Sequence, residues 1–243
     1  MRYLGGKVRQ AKRIADVCEQ IARSTGKTGY VEPFIGGASI FAESCRRGYS
    51  CVLGGDIEAD LVSLWIAVRD GWVPPAVVDR ETYERLRRDP SPTPLRAWCA
   101  YAVSYNGKRW AGYGPTASGR DYVAESVRAA LKKGSALRNR NASITCCSFR
   151  ELRVGTSDIV YCDPPYEGTT GYGNDFDHRD FWEWARATSI AGTPVVISEY
   201  QHPPDFTVID FWTRAATVDS KKTAAATEVL VLHESFSRAL GRP

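Results

Sequence analysis

The residues Asp163-Pro164-Pro165-Tyr166 have the make-up of a site that activates a weak nitrogen nucleophile. They follow the apolar run Ile159-Val160-Tyr161-Cys162, so an acid, two prolines and an aromatic leave the end of a buried strand. An exocyclic amine on a nucleobase attacks poorly because its lone pair is delocalised into the ring. Two acceptors that take both amine protons in hydrogen bonds return the lone pair to nitrogen, which can then attack an electrophilic methyl group. Asp163 offers a carboxylate for this and Pro164 its carbonyl. The prolines stiffen the loop, so the acceptors are in place before the reaction. Tyr166 offers a ring on which a base turned out of a duplex can stack. The plainer reading, a rigid turn with a capping Asp and a core Tyr, is disfavoured by a second motif upstream.

That motif is Glu32-Pro33-Phe34-Ile35-Gly36-Gly37-Ala38-Ser39. A strand ending in an acid, a double-glycine turn and a helix start place a ligand at the carboxyl edge of a sheet. The next strand ends at Asp56, placed to accept hydrogen bonds from a ribose; as an alternative, Asp56 caps the helix that follows. Together the two strand ends favour a nucleoside cofactor.

The elements that must carry these motifs are short apolar runs at Tyr30-Val31, 51–53, 144–149, 159–162, 195–197, 206–211 and 229–232. Their β-branched and aromatic content predicts strands, and their continuity predicts strands buried on both faces of a parallel sheet. Helical spacing over 38–46, 59–69 and 179–188 alternates with them, so the fold class is α/β. Residues 71–140 break the rhythm with Pro74, Pro75, Pro90, Pro92 and Pro94, helices near 94–104 and 121–137, and no good strand run. They read as a small, mainly helical insertion. From Arg69 to Arg153 there are 16 Lys/Arg against 8 Asp/Glu, a net of +8, while the chain as a whole carries +4, leaving −4 elsewhere. A basic insertion with interleaved aromatics suits a polyphosphate partner; the alternative is a plain solvated surface.

Other classes are disfavoured. No run approaches the roughly 20 apolar residues of a membrane span, and the start lacks a signal-peptide core. Seven cysteines without a CxxC pair make no secreted framework, and the scattered His178, His202 and His233 form no metal set. Ser198 lies outside a GxSxG elbow. Gly168 to Gly173 reads as a loop that closes over a base or as a plain surface loop, and the tail from Ser237 is expected to fray.

The chain resembles the D12-class, Dam-like adenine-specific DNA methyltransferases. The resemblance is carried by Tyr3-Leu4-Gly5-Gly6-Lys7, the Glu32 to Ala38 motif, Gly55-Asp56-Ile57-Glu58, the tetrad, Val196-Ile197-Ser198-Glu199-Tyr200 and Thr227-Glu228-Val229-Leu230-Val231. It implies a Rossmann-like sheet over residues 1–70 and 141–243, with 71–140 as a target-recognition domain. It also implies S-adenosylmethionine as methyl donor, N6 of adenine as acceptor and no metal. By the same resemblance, Tyr3, Lys7, Glu32, Phe34, Gly36, Gly37, Asp56 and Asp163 meet the cofactor, with Lys7 facing its carboxylate and Asp163 between cofactor and base. The segment Ser104 to Gly114 is similar to the family's DNA-contacting segment. Asn106, Lys108, Arg109, Trp110 and Tyr113 are its candidates; the alternative is a glycine-rich hairpin whose aromatics pack on the sheet. Glu58 departs from the family's usual Asn.

These expectations describe a cytoplasmic monomer or weak dimer acting on double-stranded DNA, alone or beside a cognate restriction endonuclease. The competing readings are transfer to N4 of cytosine, which presents the same amine chemistry, a DNA-binding relative without catalysis, and an RNA substrate.

Overall fold

The computed structural model describes residues 1–114, 116–117, 120–139, 141–166, 176–214 and 226–237. In chain order the elements are α1 (Ala11–Ser24), β1 (Gly29–Glu32), α2 (Ser39–Ser44), β2 (Cys51–Asp56), α3 (Ala59–Arg69), α4 (Arg80–Arg88) and α5 (Pro94–Trp98). Then come β3 (Thr116–Ala117), β4 (Arg120–Asp121), α6 (Tyr122–Leu137), β5 (Ala142–Cys146), β6 (Asp158–Cys162), α7 (His178–Ile190), β7 (Val195–Glu199), β8 (Phe206–Arg214), β9 (Ala226–His233) and α8 (Glu234–Ser237). A single π-helical turn over Cys99–Val103 continues α5, and a 3-10 turn follows at Tyr105–Gly107. Both the 168–173 loop and the tail beyond Ser237 lie outside the described residues.

The strand order is β5-β2-β1-β6-β7-β9-β8, a doubly wound, Rossmann-like α/β sheet. β2 pairs parallel with β5, β1 with β6, and β6 with β7. The expectation of an all-parallel sheet needs correction at one edge, where β9 runs antiparallel to both β7 and β8. Only residues 215–225 join β8 to β9, fewer than the dozen or so a parallel crossover needs. Continuous apolar runs report burial on both faces and are silent on direction. The 71–140 segment also holds one short antiparallel pair, β3 with β4, that its sequence did not suggest.

The chain divides into two compact units, Met1–Asp16 with Glu32–Leu152, and Val17–Val31 with Arg153–Pro243. The first unit contains residues 71–140 together with α2, β2 and α3. Its core includes Phe41, Leu61, Leu64, Trp65, Tyr83 and Trp98, all essentially solvent-free. Burying each such side chain contributes about 1.5–3 kcal/mol. Gly134 in the last turn of α6 lets that helix lie against Val68 of α3, because a Cβ there would come within 2.7 Å of the valine side chain. In the second unit, Tyr30, Tyr161, Phe181, Phe206 and the β7 and β9 residues Val195 to Ile197 and Leu230 to Leu232 are buried.

Candidate active site

In the first unit the glycine turn is held by main chain and by side chains distant in sequence. Ile35 N–H donates to Gly55 O at 3.0 Å, and Gly36 N–H to Asp56 Oδ2 at 2.8 Å. Gly36 has φ +41° and Ala38 φ +51°, so the turn passes through the left-handed region twice. The Tyr3 ring lies close against it: a Cβ on Gly36 or Gly37 would come within 3.0 Å of Tyr3. Trp65 Nε1 donates to Gly36 O at 2.8 Å, and Lys133 Nζ donates to Gly37 O and, at 2.9 Å, to Ser39 Oγ. Phe34, half-buried, stacks on Phe149 at 5.8 Å, while Glu32 and Lys7 are buried. A cavity of about 270 Å³ opens beside Tyr3, with Gly6, Ser39, Asn106 and Ser126 on its walls.

Asp56 also accepts from Glu58 N–H, through Oδ1 at 2.9 Å. Burial raises its carboxyl to about 6, against the opposing pull of these amide bonds. It does not cap α3; the residue at the N-cap is Glu58, which makes no side-chain cap bond. Burial likewise lowers the Lys133 ammonium to about 7, although the Glu32 charge works the other way. Sequence reasoning missed Lys133. It lies 96 residues from Gly37, and nothing local distinguishes it from its neighbour Lys132.

In the second unit the tetrad leaves β6 as expected. Pro164 is buried, while Asp163, Pro165 and Tyr166 are partly covered. The Tyr166 hydroxyl lies 2.8 Å from Asp163 Oδ1 and 2.5 Å from Glu228 Oε1, and its ring meets Tyr200 edge-on at 4.8 Å. Burial, with the Asp163 and Glu228 carboxyl groups beside it, pushes the Tyr166 hydroxyl far above the usual phenol range. Glu228 has no exposed surface and accepts from Trp212 Nε1 at 3.0 Å. It is the second residue that motif reading did not place in a role.

The Ser104 to Gly114 segment, in the first unit, divides its candidates. Asn106 and Lys108 are exposed, and Asn106 sits at φ +55°. Arg109 is exposed too, and pairs with Glu58 at 2.9 Å and Asp60 at 3.5 Å. Trp110 packs edge-on to Tyr83 at 5.2 Å, with the Arg96 guanidinium 5.4 Å from its ring centre. Tyr113 packs on the same Tyr83 at 5.6 Å and donates its hydroxyl to Val78 O at 2.8 Å. Trp110 and Tyr113 thus pack against Tyr83 of α4, while Arg109 stays exposed and paired with two acids. The unusual Glu58 has a local reason: it is the partner of Arg109 and accepts from the Tyr101 hydroxyl at 3.3 Å.

Among the described residues no group of three or more His, Cys, Asp or Glu could hold a metal ion, and no helix is long and apolar enough to cross a membrane. The sequence profile of the D12 class N6 adenine-specific DNA methyltransferases matches residues 3–91 and 113–208. The gap in that match covers Ser104 to Gly112. The type II methyltransferase M.FokI of Planomicrobium okeanokoites is 40% identical over 58 residues, which are 23% of this chain and 9% of that protein. The retron Ec67 DNA adenine methylase of Escherichia coli is 43% identical over 68 residues, 24% of this chain and 23% of its own. The chain thus covers less than a quarter of either relative. Among solved structures, the precorrin-6y C5,15-methyltransferase of Geobacter metallireducens GS-15 aligns with 90% of this chain and 87% of its own, at 11% identity and a TM-score of 0.38. With its profile matched on both sides of the 92–112 gap and over most of its length, the chain belongs to the D12 class N6 adenine-specific DNA methyltransferase family.

Proposed function

We propose that the chain transfers a methyl group from S-adenosylmethionine to N6 of an adenine in double-stranded DNA. The observation that carries this reading is Asp163-Pro164-Pro165-Tyr166 at the end of a buried strand, with Asp163 and Tyr166 hydrogen-bonded, in a chain of this family. The residues around the glycine turn suit the cofactor chemically. Asp56 keeps lone pairs for ribose hydroxyls beyond its two amide bonds, Lys7 suits a carboxylate, and Phe34 suits an adenine ring. Tyr3, Glu32, Gly36 and Gly37 complete that proposed set. When bound, S-adenosylmethionine supplies an electrophilic methyl group on sulfur.

The chain's own part is to ready the acceptor. The Asp163 carboxylate and the Pro164 carbonyl accept hydrogen bonds from the two N6 protons, which localises the lone pair and makes direct attack feasible without a covalent enzyme intermediate. As the N6–methyl bond forms the sulfur–methyl bond breaks, and one N6 proton then passes to Asp163 or water. A preorganised acceptor of this kind contributes on the order of 10²–10³ in rate. The Tyr166 ring stacks on the extruded base. In this reading residues 71–140 serve as the recognition domain on a 1–70 and 141–243 catalytic part. Asn106 and Lys108 meet DNA directly, and Arg109, Trp110 and Tyr113 shape the segment they sit on. We infer a cytoplasmic monomer or weak dimer, with a restriction endonuclease as partner if the gene lies in a modification system.

Sequencing host DNA with modification detection, with and without the protein, tests the reading and yields base and site together. N6-methyladenine at a defined site is expected. N4-methylcytosine, or unmodified DNA, contradicts it.

A further inference from the structure

Glu228 is fully buried on β9, and the chemistry above gives it no task. Its Oε1 is 2.5 Å from the Tyr166 hydroxyl, which is in turn 2.8 Å from Asp163 Oδ1. Three oxygens stand in a row with two contacts, and each contact needs a hydrogen. The tyrosine brings one. The other must sit on a carboxyl group, because two bare carboxylates would leave one contact as lone pair against lone pair. Removal from water favours the neutral carboxyl form, and Glu228 is more deeply buried than Asp163. With the proton on Glu228 the whole row is satisfied. Glu228 donates to Tyr166, Tyr166 donates to Asp163, and the second Glu228 oxygen accepts from Trp212 Nε1 at 3.0 Å.

We propose that Glu228 is a positioning residue for the transfer, orienting the Tyr166 hydroxyl so that it tethers Asp163 by Oδ1 and fixes the direction of its carboxylate. The inference rests on the methyl-transfer reading above. Glu228 acts through Tyr166 and needs no contact with substrate or cofactor.

The test is steady-state kinetics of the full chain with duplex DNA and labelled S-adenosylmethionine. The variants are Glu228→Gln, Glu228→Ala, Tyr166→Phe and the Glu228→Ala/Tyr166→Phe pair. Gln reproduces the neutral carboxyl with one donor and one acceptor, so kcat stays within about fivefold of the parent chain. Ala strips the hydroxyl of its partner, and kcat falls at least about tenfold while the KM for S-adenosylmethionine moves less than about twofold. In the Tyr166→Phe background the same Ala change costs less than about twofold, because the link it acts through is gone. The proposal is overturned if Gln falls beyond fivefold, or if Ala costs the same factor with and without the tyrosine hydroxyl. Should Glu228→Ala fail to fold, the volume-preserving Gln variant decides alone by the same fivefold limit. An unmodified chain that transfers no label refutes the methyl-transfer reading itself, which keeps the two failures apart.

Discussion

Asp56 ends β2 and Asp163 follows β6, yet they are held by different parts of the chain. Asp56 is gripped by main-chain amides, those of Gly36 and Glu58, and its geometry depends on the path of one glycine turn. Asp163 is gripped by the Tyr166 hydroxyl, which itself touches Glu228, 62 residues away. A backbone grip is sensitive to whatever disturbs the turn and indifferent to most side chains. A side-chain grip is the reverse. The proposed binding end, in the first unit, is therefore built locally, and the proposed reacting end, in the second, is built from tertiary contacts.

The contrast can be broken most severely at the reacting end. Asp163→Ala removes one of the two amine acceptors, so label transfer to DNA should fall by about 10²–10³-fold with the melting temperature little changed. Full activity would refute the role given to Asp163.

At the binding end the largest expected effect is on the pH dependence of stability. The Asp56 carboxyl, ordinarily at 3.8, is raised to about 6, so between these values the folded chain holds a proton that the unfolded chain has released. Stability from this group is present at low pH and is lost as pH rises through that window. Against Asp56→Asn, whose lost amide bond contributes a fixed offset, the parent chain should lose on the order of 2 kcal/mol between pH 4 and 6. Urea titrations of both proteins across that range check the sign; a constant difference would mean that Asp56 titrates normally.

Gly36→Ala tests the turn itself. A left-handed alanine costs about 1–2 kcal/mol, and its methyl crowds Tyr3. Calorimetry should show S-adenosylmethionine binding about tenfold weaker, since the strain falls on the residue whose amide holds Asp56. The smallest effect belongs to Lys108→Ala, which should weaken DNA binding severalfold and lower the slope of log affinity against log salt by about 1. Arg109→Ala sharpens the point, because its charge is already spent on Glu58 and Asp60. It should reduce the salt slope less than Lys108→Ala and the melting temperature more.

The backbone-held half was legible in the sequence because its cause is local. An acid, a glycine pair and a strand end occupy adjacent positions, and α3 runs over Ala59–Arg69 as its spacing predicts. The predicted 121–137 helix likewise forms as Tyr122–Leu137, with Asp121 capping it through Ala124 N–H. Helix α4 went unread, since among its mostly charged residues Tyr83 and Leu86 alone are buried, too few for a periodic signal. Lys133 and Glu228 were illegible as members of these clusters because their partners lie 96 and 62 residues away. The direction of β9 was hidden for a related reason: an apolar strand looks the same read either way. Trp110 and Tyr113 show the limit of aromatic composition, which does not say whether a ring faces DNA or a buried Tyr83.

The central claim is that Asp163 and Pro164 make an adenine amine the nucleophile. Duplex DNA incubated with the chain and methyl-deuterated S-adenosylmethionine, then digested to nucleosides and resolved by mass spectrometry, tests it most directly. Deuterated N6-methyl-2′-deoxyadenosine from the parent chain and little or none from Asp163→Ala is the expected result. The label on cytosine, or equal N6 labelling by both proteins, would contradict it.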